Sequence, residues 1–507
     1  MKKYLKPMLY IMIACMLCIL ITACGGDSGS GDNNDGNTNN TNQEDIKDDK
    51  AEEIEPAEEK IYPDLEPADF GEYEFTFLTR TINDADWAEW NHRDLYAEEI
   101  TGDSINDAVY NRNKKIEEKY NVRFNQITLE NPHVTTRITQ AVKAGDDIYD
   151  AVGIHVIQFA PLAQSGNFVD LFAVPHIDLE KPWWDRGSVR DLSIIGKLFL
   201  VQGDLLIMDN DAMEAMIFNK RLHQDHALEN LYDIVKRGEW TFDTLLRMSK
   251  GVAQDLNGDG EMWIKDDRFG CILQADTGPS FLVSGGEKMA SKDANDYPVI
   301  AFGSERSFRI TDYLTELMLD EENVVHLHRY EGQFGIYDEQ VKMMEEDRAL
   351  FSWIRMRIVE RLRGMETDFG ILPLPKLDAA QEHYYTHNNP HTGVAIAIPI
   401  TASNLERTGM ILEDLSAESR YTLQPAYYEV NLRGKYARDD ESQEMLDIIL
   451  TNTAHDIGYI YNFGNLAEPI LRNGQNKKDD YASAFEKVQV RMEKDIEKLI
   501  ESYEKLD

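Results

Sequence analysis

The sequence predicts an α/β fold in two lobes, and three observations carry that reading. Strand-like and helix-like patterns alternate from residue 73 onward. About 440 residues remain for folded structure once the N-terminal segments are set aside, more than one hydrophobic core comfortably holds. With 42% hydrophobic and 10% aromatic residues, the chain has ample material for such cores. No repeat at a fixed period and no second low-complexity stretch marks off an independent domain.

The N-terminus reads as an address. Lys2, Lys3 and Lys6 precede the apolar run Met8 to Ile21, and residues 1–23 end on Ile21-Thr22-Ala23 before Cys24, as a secretory signal does. A retained membrane anchor is the alternative, but about 14 apolar residues are few for a ~30 Å hydrocarbon core. Residues 24–63 form an acidic linker poor in aliphatics, which cannot offset the entropy of ordering and stays a tether. Of the four cysteines, Cys15, Cys18 and Cys24 lie in the first 24 residues, so Cys271 has no disulfide partner in the mature body. With 92 Asp+Glu against 52 Lys+Arg, the formal charge of −40 disfavours a nucleic-acid partner.

In the body, the alternation Tyr73-Glu-Phe-Thr-Phe-Leu78 predicts a strand. Ser104-Ile-Asn-Asp107 reads as a capping box opening a helix through Ile116, followed by the extended Asn121 to Ile127. A helix over Val134 to Ala144 and a buried strand at Tyr149 to Val152 complete βαβ order. Thr241 starts another helix, Leu350 to Ile354 and Val394 to Ile398 read as buried strands, and Asp480 to Leu506 is a long charged amphipathic helix.

Tyr149-Asp-Ala-Val152, Leu162-Ala-Gln-Ser-Gly166 and Val169-Asp-Leu171 resemble the family-1 extracellular solute-binding proteins of ABC importers, maltose-binding proteins among them. In the same order follow Gly196-Lys-Leu-Phe199, Glu214 to Lys220, Gly238-Glu-Trp-Thr241 and Phe369 to Pro375, so the likeness covers roughly residues 70–430. It implies a two-lobed periplasmic-binding-protein-like fold of type II, each lobe a mixed sheet flanked by helices, with a hinge crossed three times. The crossings are expected near Met213 to Asn219, His391 to Val394 and Tyr436 to Glu441. Lobe 1 is then residues 64–213 with 392–436, and lobe 2 residues 214–391 with 437–507. The tetrad Ile-Thr-Ala-Cys24 is similar to a lipobox, which implies a lipid on Cys24 and a place on the extracytoplasmic face of the cell membrane. A carbohydrate ligand, an oligosaccharide, and the transmembrane subunits of an ABC permease are the implied partners; a monomer without enzymatic activity is expected.

Sugar recognition needs flat apolar faces and planar polar groups near strand ends. Four segments qualify: Arg80, Asp84, Trp87 and Trp90 after the first strand; His155 and Gln158 after Val152; Asp209, Asp211 and Glu214 between the lobes; and Trp353 with Arg355. In the resembled family an aromatic at the place of Trp353 often stacks on sugar, and Phe281 falls where a cleft aromatic is found. Core packing is the competing reading for each aromatic, and structural use is expected of Trp183 and Trp184. His326 and His328 read as a solvated pair, and His383, His387 and His391 as a polar loop at the cleft rim. Two other functions stay open: a surface glycan-binding or sensor lipoprotein without transport, and a glycosidase using paired carboxylates.

No catalytic cofactor is expected. Asp255, Asn257 and Asp259 at positions 1, 3 and 5, Gly260 at 6, Glu261 at 7 and Asp266 at 12 match an EF-hand-type calcium loop, although Asp at 12 is shorter than the usual Glu and Asp267 is an alternative ligand. An acidic turn without metal is the other reading. If calcium is structural, chelator lowers the melting temperature and added calcium restores it; a melt unmoved in both directions removes the ion.

Overall fold

The structure, a computed structural model, describes residues 60–83, 90–130, 133–428 and 440–506. The signal segment, Cys24, most of the linker, Asp84 and Trp87 therefore lie outside the described residues.

Two sheets organise the chain. In the first, β1 (Tyr73–Thr81) runs parallel to β2 (Val122–Glu130) over its whole length, from Tyr73 opposite Val122 to Thr81 opposite Glu130. On its other side β1 pairs in parallel with β3 (Ala151–His155). The second sheet begins with β4 (Glu214–Asn219) and takes in β5 (Phe269–Leu273). A small antiparallel hairpin, β6 (Ala290–Lys292) with β7 (Pro298–Ile300), stands apart from both. The second sheet continues with β8 (Val324–His326), β9 (Ala349–Arg355) and β10 (Phe369–Leu372), in the order β10-β4-β9-β5-β8. A short β11 (Thr386–His387) leads back to the first sheet, where β12 (Val394–Ala397) lies antiparallel to β3; β13 (Thr453–Ala454) pairs with β11. Both large sheets mix parallel and antiparallel pairs, and helices flank them.

The chain thus passes to the second sheet at Glu214 and is back in the first at Val394. Helices Leu405–Tyr421 and Leu423–Tyr427 pack on helix Ser104–Tyr120 beside the first sheet, whereas helix Asp440–Thr451 packs on β10 of the second. The third crossing expected near Tyr436 falls mostly outside the described residues. The C-terminal helix Tyr481–Tyr503 touches helix Val156–Gln164, which follows β3, and also helix Glu305–Leu319 beside β8.

Local chemistry explains most boundaries. Helix Ser104–Tyr120 starts one residue earlier than its expected cap: Asp103 accepts from the N–H groups of Ile105 and Asn106. Asp107 instead receives the N–H groups of Thr101 and Gly102, because a carboxylate reaching back across the first turn meets free amides there. Thr241 caps Phe242–Ser249 as expected, accepting from Thr244 N–H. In β4 and β9 every residue is buried, the continuous apolar signature of central strands.

Each sheet has its own apolar packing. Phe75 lies 5.1 Å from Phe77 and 5.7 Å from Phe124, edge to face, under the first sheet; Trp240 and Phe351 meet at 5.5 Å in the second. Burying each such ring contributes about 1.5–3 kcal/mol. Cys271 is a free, buried thiol in β5, its pKa pushed up by burial. Trp183 and Trp184 are buried, and Trp184 Nε1 donates to Glu413 Oε2 at 2.8 Å. His326 is buried and His328 half-buried with Nδ1 accepting from Ala275 N–H at 3.2 Å, so the solvated pair expected there is corrected: β8 lies inside the sheet's cover.

Burial pushes the Glu413 carboxyl up to about 7, although Trp184 Nε1 and Asp178 N–H donate to it. Its contribution to stability is therefore full below the unfolded value near 4.3 and lost as pH rises through 7. Glu413→Gln, which does not ionise, should gain roughly 2–3 kcal/mol on wild type between pH 5 and pH 8. Urea midpoints at the two pH values check this; an identical gap at both would refute it.

Candidate functional site

Strand ends from both sheets converge. Arg80 and His155 sit at the C-terminal ends of β1 and β3. Glu214 opens β4 directly opposite Arg355, which closes β9. Asp276, before helix Thr277–Ser284, and Ser280 within it follow β5, and the return segment after β10 brings His387, Asn389 and His391.

Glu214 is the hub. Its carboxylate is fully buried, with Oε2 accepting from Ser280 Oγ and from His387 Nδ1 at 2.8 Å, and Oε1 accepting from Asn389 Nδ2 at 2.9 Å. Asn389 Nδ2 also reaches Asp276 Oδ1 at 3.1 Å, and Asp276 Oδ2 accepts from Arg355 Nη2 at 2.7 Å. Burial opposes the charge on Arg355, but Asp276, Tyr337 and Glu214 outweigh it and hold its pKa above the ordinary value. The guanidinium lies 5.5 Å from the Trp353 ring centroid and 6.0 Å from that of Trp90, a residue of the segment after β1. One cation thus faces an indole on each side of the joint.

Facing this network, His155 has its pKa driven well below the ordinary value, first by burial and then by Arg80, His92, His391 and Arg355. Arg80 Nε, Trp90 Nε1, His92 Nε2, His155 Nε2, Arg355 Nε and His387 Nε2 are all buried, and among the described residues none of them has a hydrogen-bond partner. Leaving such groups unmade costs about 1–3 kcal/mol each. A polar molecule lodged among them would recover that cost.

The sequence-predicted residues divide accordingly. Arg80, His155 and Arg355 come together, and half-buried Gln158 sits on the helix that begins immediately after His155. Glu214 belongs to the site as its internal brace, with every carboxylate oxygen engaged. Asp209 is elsewhere: burial raises its pKa well above the ordinary value, Asn210 N–H donates to it, and its charged neighbours are Asp185, Asp94 and Asp204. Asp211 is tied to Arg93 at 2.9 Å and to Tyr427 Oη at 3.0 Å. Phe281 stacks on Phe242 at 4.9 Å in the core and offers no face to a cleft, correcting its expected place. Trp353 is likewise buried, its Nε1 donating to Ser280 Oγ at 3.2 Å and a ring face turned to Arg355, so the open stacking face expected of it is not present. Asp276, His92, Asn389 and Tyr337 are not foreseen from the sequence; Asp276 follows β5 and stands five residues before Phe281, where a strand end alone marks it.

The calcium-type loop closes on itself. Asp255 accepts from Gly258 and Gly260 N–H, Asp259 from Glu261 N–H, and Asn257 Nδ2 donates to Asp259. Asp266 is exposed, whereas Asp267 is buried and accepts from Leu256 and Trp263 N–H, so the inward position is the thirteenth and not the twelfth. Among the described residues no group of three or more His, Cys, Asp or Glu side chains is placed to hold a metal ion.

No protein-family model and no curated protein sequence matches the chain. Its fold is nevertheless shared. An ABC substrate-binding protein of Listeria monocytogenes in complex with cycloalternan superposes with a TM-score of 0.55 at 11% identity, over 83% of this chain and 98% of the other. A cyclo/maltodextrin-binding protein complexed with maltotetraose gives 0.55 at 12%, over 83% and 97%. UgpB of Mycobacterium tuberculosis in complex with glycerophosphocholine gives 0.55 at 13%, over 85% and 99%. The architecture is thus the two-lobed, periplasmic-binding-protein-like α/β fold.

Glu214→Ala leaves Ser280, His387 and Asn389 buried without their acceptor and should lower unfolding stability by about 3–5 kcal/mol. Glu214→Gln, which keeps one acceptor, should cost less. Denaturant melts of the two variants read this directly; an alanine variant as stable as wild type would show that the hub is dispensable.

Proposed function

We propose that the chain is a lipid-anchored, extracytoplasmic solute-binding protein that captures a carbohydrate, an oligosaccharide, between its lobes and passes it to the transmembrane subunits of an ABC importer. The observation that carries this reading is the convergence, at the joint of two α/β lobes, of buried polar atoms that have no hydrogen-bond partner among the described residues: Arg80 Nε and His155 Nε2 from one side, Arg355 Nε and His387 Nε2 from the other. Solved proteins of the same fold bound to cycloalternan and maltotetraose support the ligand class. A molecule that touches both lobes favours their closed arrangement by its differential affinity, and a permease that reads closure receives loaded protein only.

In this reading Arg80, His155, Gln158 and Arg355 orient ligand hydroxyls, with Trp90 and Trp353 backing the guanidinium. Asp84 and Trp87 are kept from the sequence as further contacts, the lobes divide at residues 213/214, 391/392 and 436/437, and the lipid on Cys24 holds the body at the membrane.

Calorimetry against a panel of neutral and acidic oligosaccharides should give one-to-one binding with no product in the cell afterwards, and X-ray scattering should show a smaller radius of gyration with ligand. Turnover of a bound glycan, or no heat with any of them, would overturn the proposal.

A further inference from the structure

Among the described residues, one cation at the joint stands without a counter-charge. Asp94 accepts from His92 Nδ1 at 3.3 Å, Asp276 from Arg355 at 2.7 Å, and Glu214 from His387 at 2.8 Å, so each carboxylate there already has a basic partner. Arg80 is left over. Among the described residues Arg80 has no ion-pair partner; its side chain is 1% exposed, and its one hydrogen bond runs from Nη2 to the backbone oxygen of Trp90 at 2.7 Å. Burial alone pulls its pKa down to about 10, which leaves it charged at neutral pH.

A purely structural buried arginine looks different in this same molecule. Arg112, equally buried, spends Nε, Nη1 and Nη2 on the carbonyls of Asp94, Leu95 and Leu205 and on Asn113 and Ser419. Arg348 and Arg407 sit on Glu339 and Asp150. Among the described residues Arg80 has neither a cage of acceptors nor an acid, and its Nε has no acceptor. Beside it stands His155, itself without a partner at Nε2 among the described residues, and near His155 lies exposed His391. A buried cation without a counter-charge is costly, and an anion arriving from outside would offset that cost.

We propose that the ligand is an acidic saccharide, one bearing an oxyanion such as a uronate carboxylate or an ester sulfate, and that Arg80 is the residue that pairs with that charge. This rests on the carbohydrate-binding reading above. His155 adds a ring nitrogen beside the anion, while Arg355, already neutralised by Asp276, is left to meet hydroxyls. Specificity for the anion is then set locally by Arg80, since the outer field of a body of formal charge −40 repels acidic ligands.

Calorimetry on the full chain tests this with four probes: a uronate trisaccharide, its neutral methyl ester, a sulfated disaccharide and maltotriose. The acid should bind about ten- to a hundredfold tighter than its ester, the advantage of a charge-assisted hydrogen bond, and the tighter of uronate and sulfate identifies the oxyanion. Arg80→Gln should bring acid and ester to within about threefold of each other, and Arg80→Lys should restore part of the gap. Should Arg80→Gln fail to fold, Arg80→Lys must by itself reduce the advantage of the acid over its ester, because a point charge cannot pair bidentately with an oxyanion; an unchanged advantage overturns the role of Arg80. Equal or tighter binding of the ester, or of maltotriose, overturns the inference and leaves the carbohydrate reading standing; silence with all four overturns that reading instead.

Discussion

A carboxylate taken wholly out of water has to be met by donors, and at the joint of this protein that requirement falls on Glu214. Four separate pieces of chain answer it: β4 carries the acid, the helix after β5 brings Ser280, and the return segment supplies His387 and Asn389, through which Asp276 and then Arg355 at the end of β9 are tied in. Low local dielectric makes each of these bonds strong and each missing one costly. The arrangement therefore fixes where β4, β5 and β9 end relative to one another and to the strand that leads home to the first sheet. The cluster of unpartnered groups facing Arg80 exists because this brace holds its far wall still.

How much of this was legible in the sequence depends on the range of the interactions. Strands such as Tyr73 to Leu78, Leu350 to Ile354 and Val394 to Ile398 are local patterns of alternation or continuous apolarity, and all three are found, lengthened or shortened by a few residues. The cap at Thr241 was legible for the same reason, while the one at Asp103 was misplaced by a single residue because Ser104 offers the same chemistry next door. The two-lobed architecture came from an ordered set of short resemblances, each weak, and the structure bears it out.

Side-chain roles were harder, because what a residue faces is decided by segments hundreds of positions away. Phe281 and Trp353 carry the right chemistry for sugar, yet Phe242 claims one and Ser280 with Arg355 the other. Asp209, Asp211 and Glu214 look alike in a row, but burial among acids, a pair with Arg93 and a three-donor cradle give them three different fates. Arg80 and His155 were found because they stand directly at strand ends, where sheet geometry alone decides which way they look.

The C-terminal helix Tyr481–Tyr503 adds something that neither sheet supplies. It lies against helix Val156–Gln164 on one side and helix Glu305–Leu319 on the other, and just beyond its end Lys197 donates to the carbonyl of Leu506 while Tyr503 packs edge-on against Phe199 at 5.3 Å. The same helix therefore joins the cover of the first sheet to that of the second, so any change in the angle between the sheets has to be taken up along its two flanks.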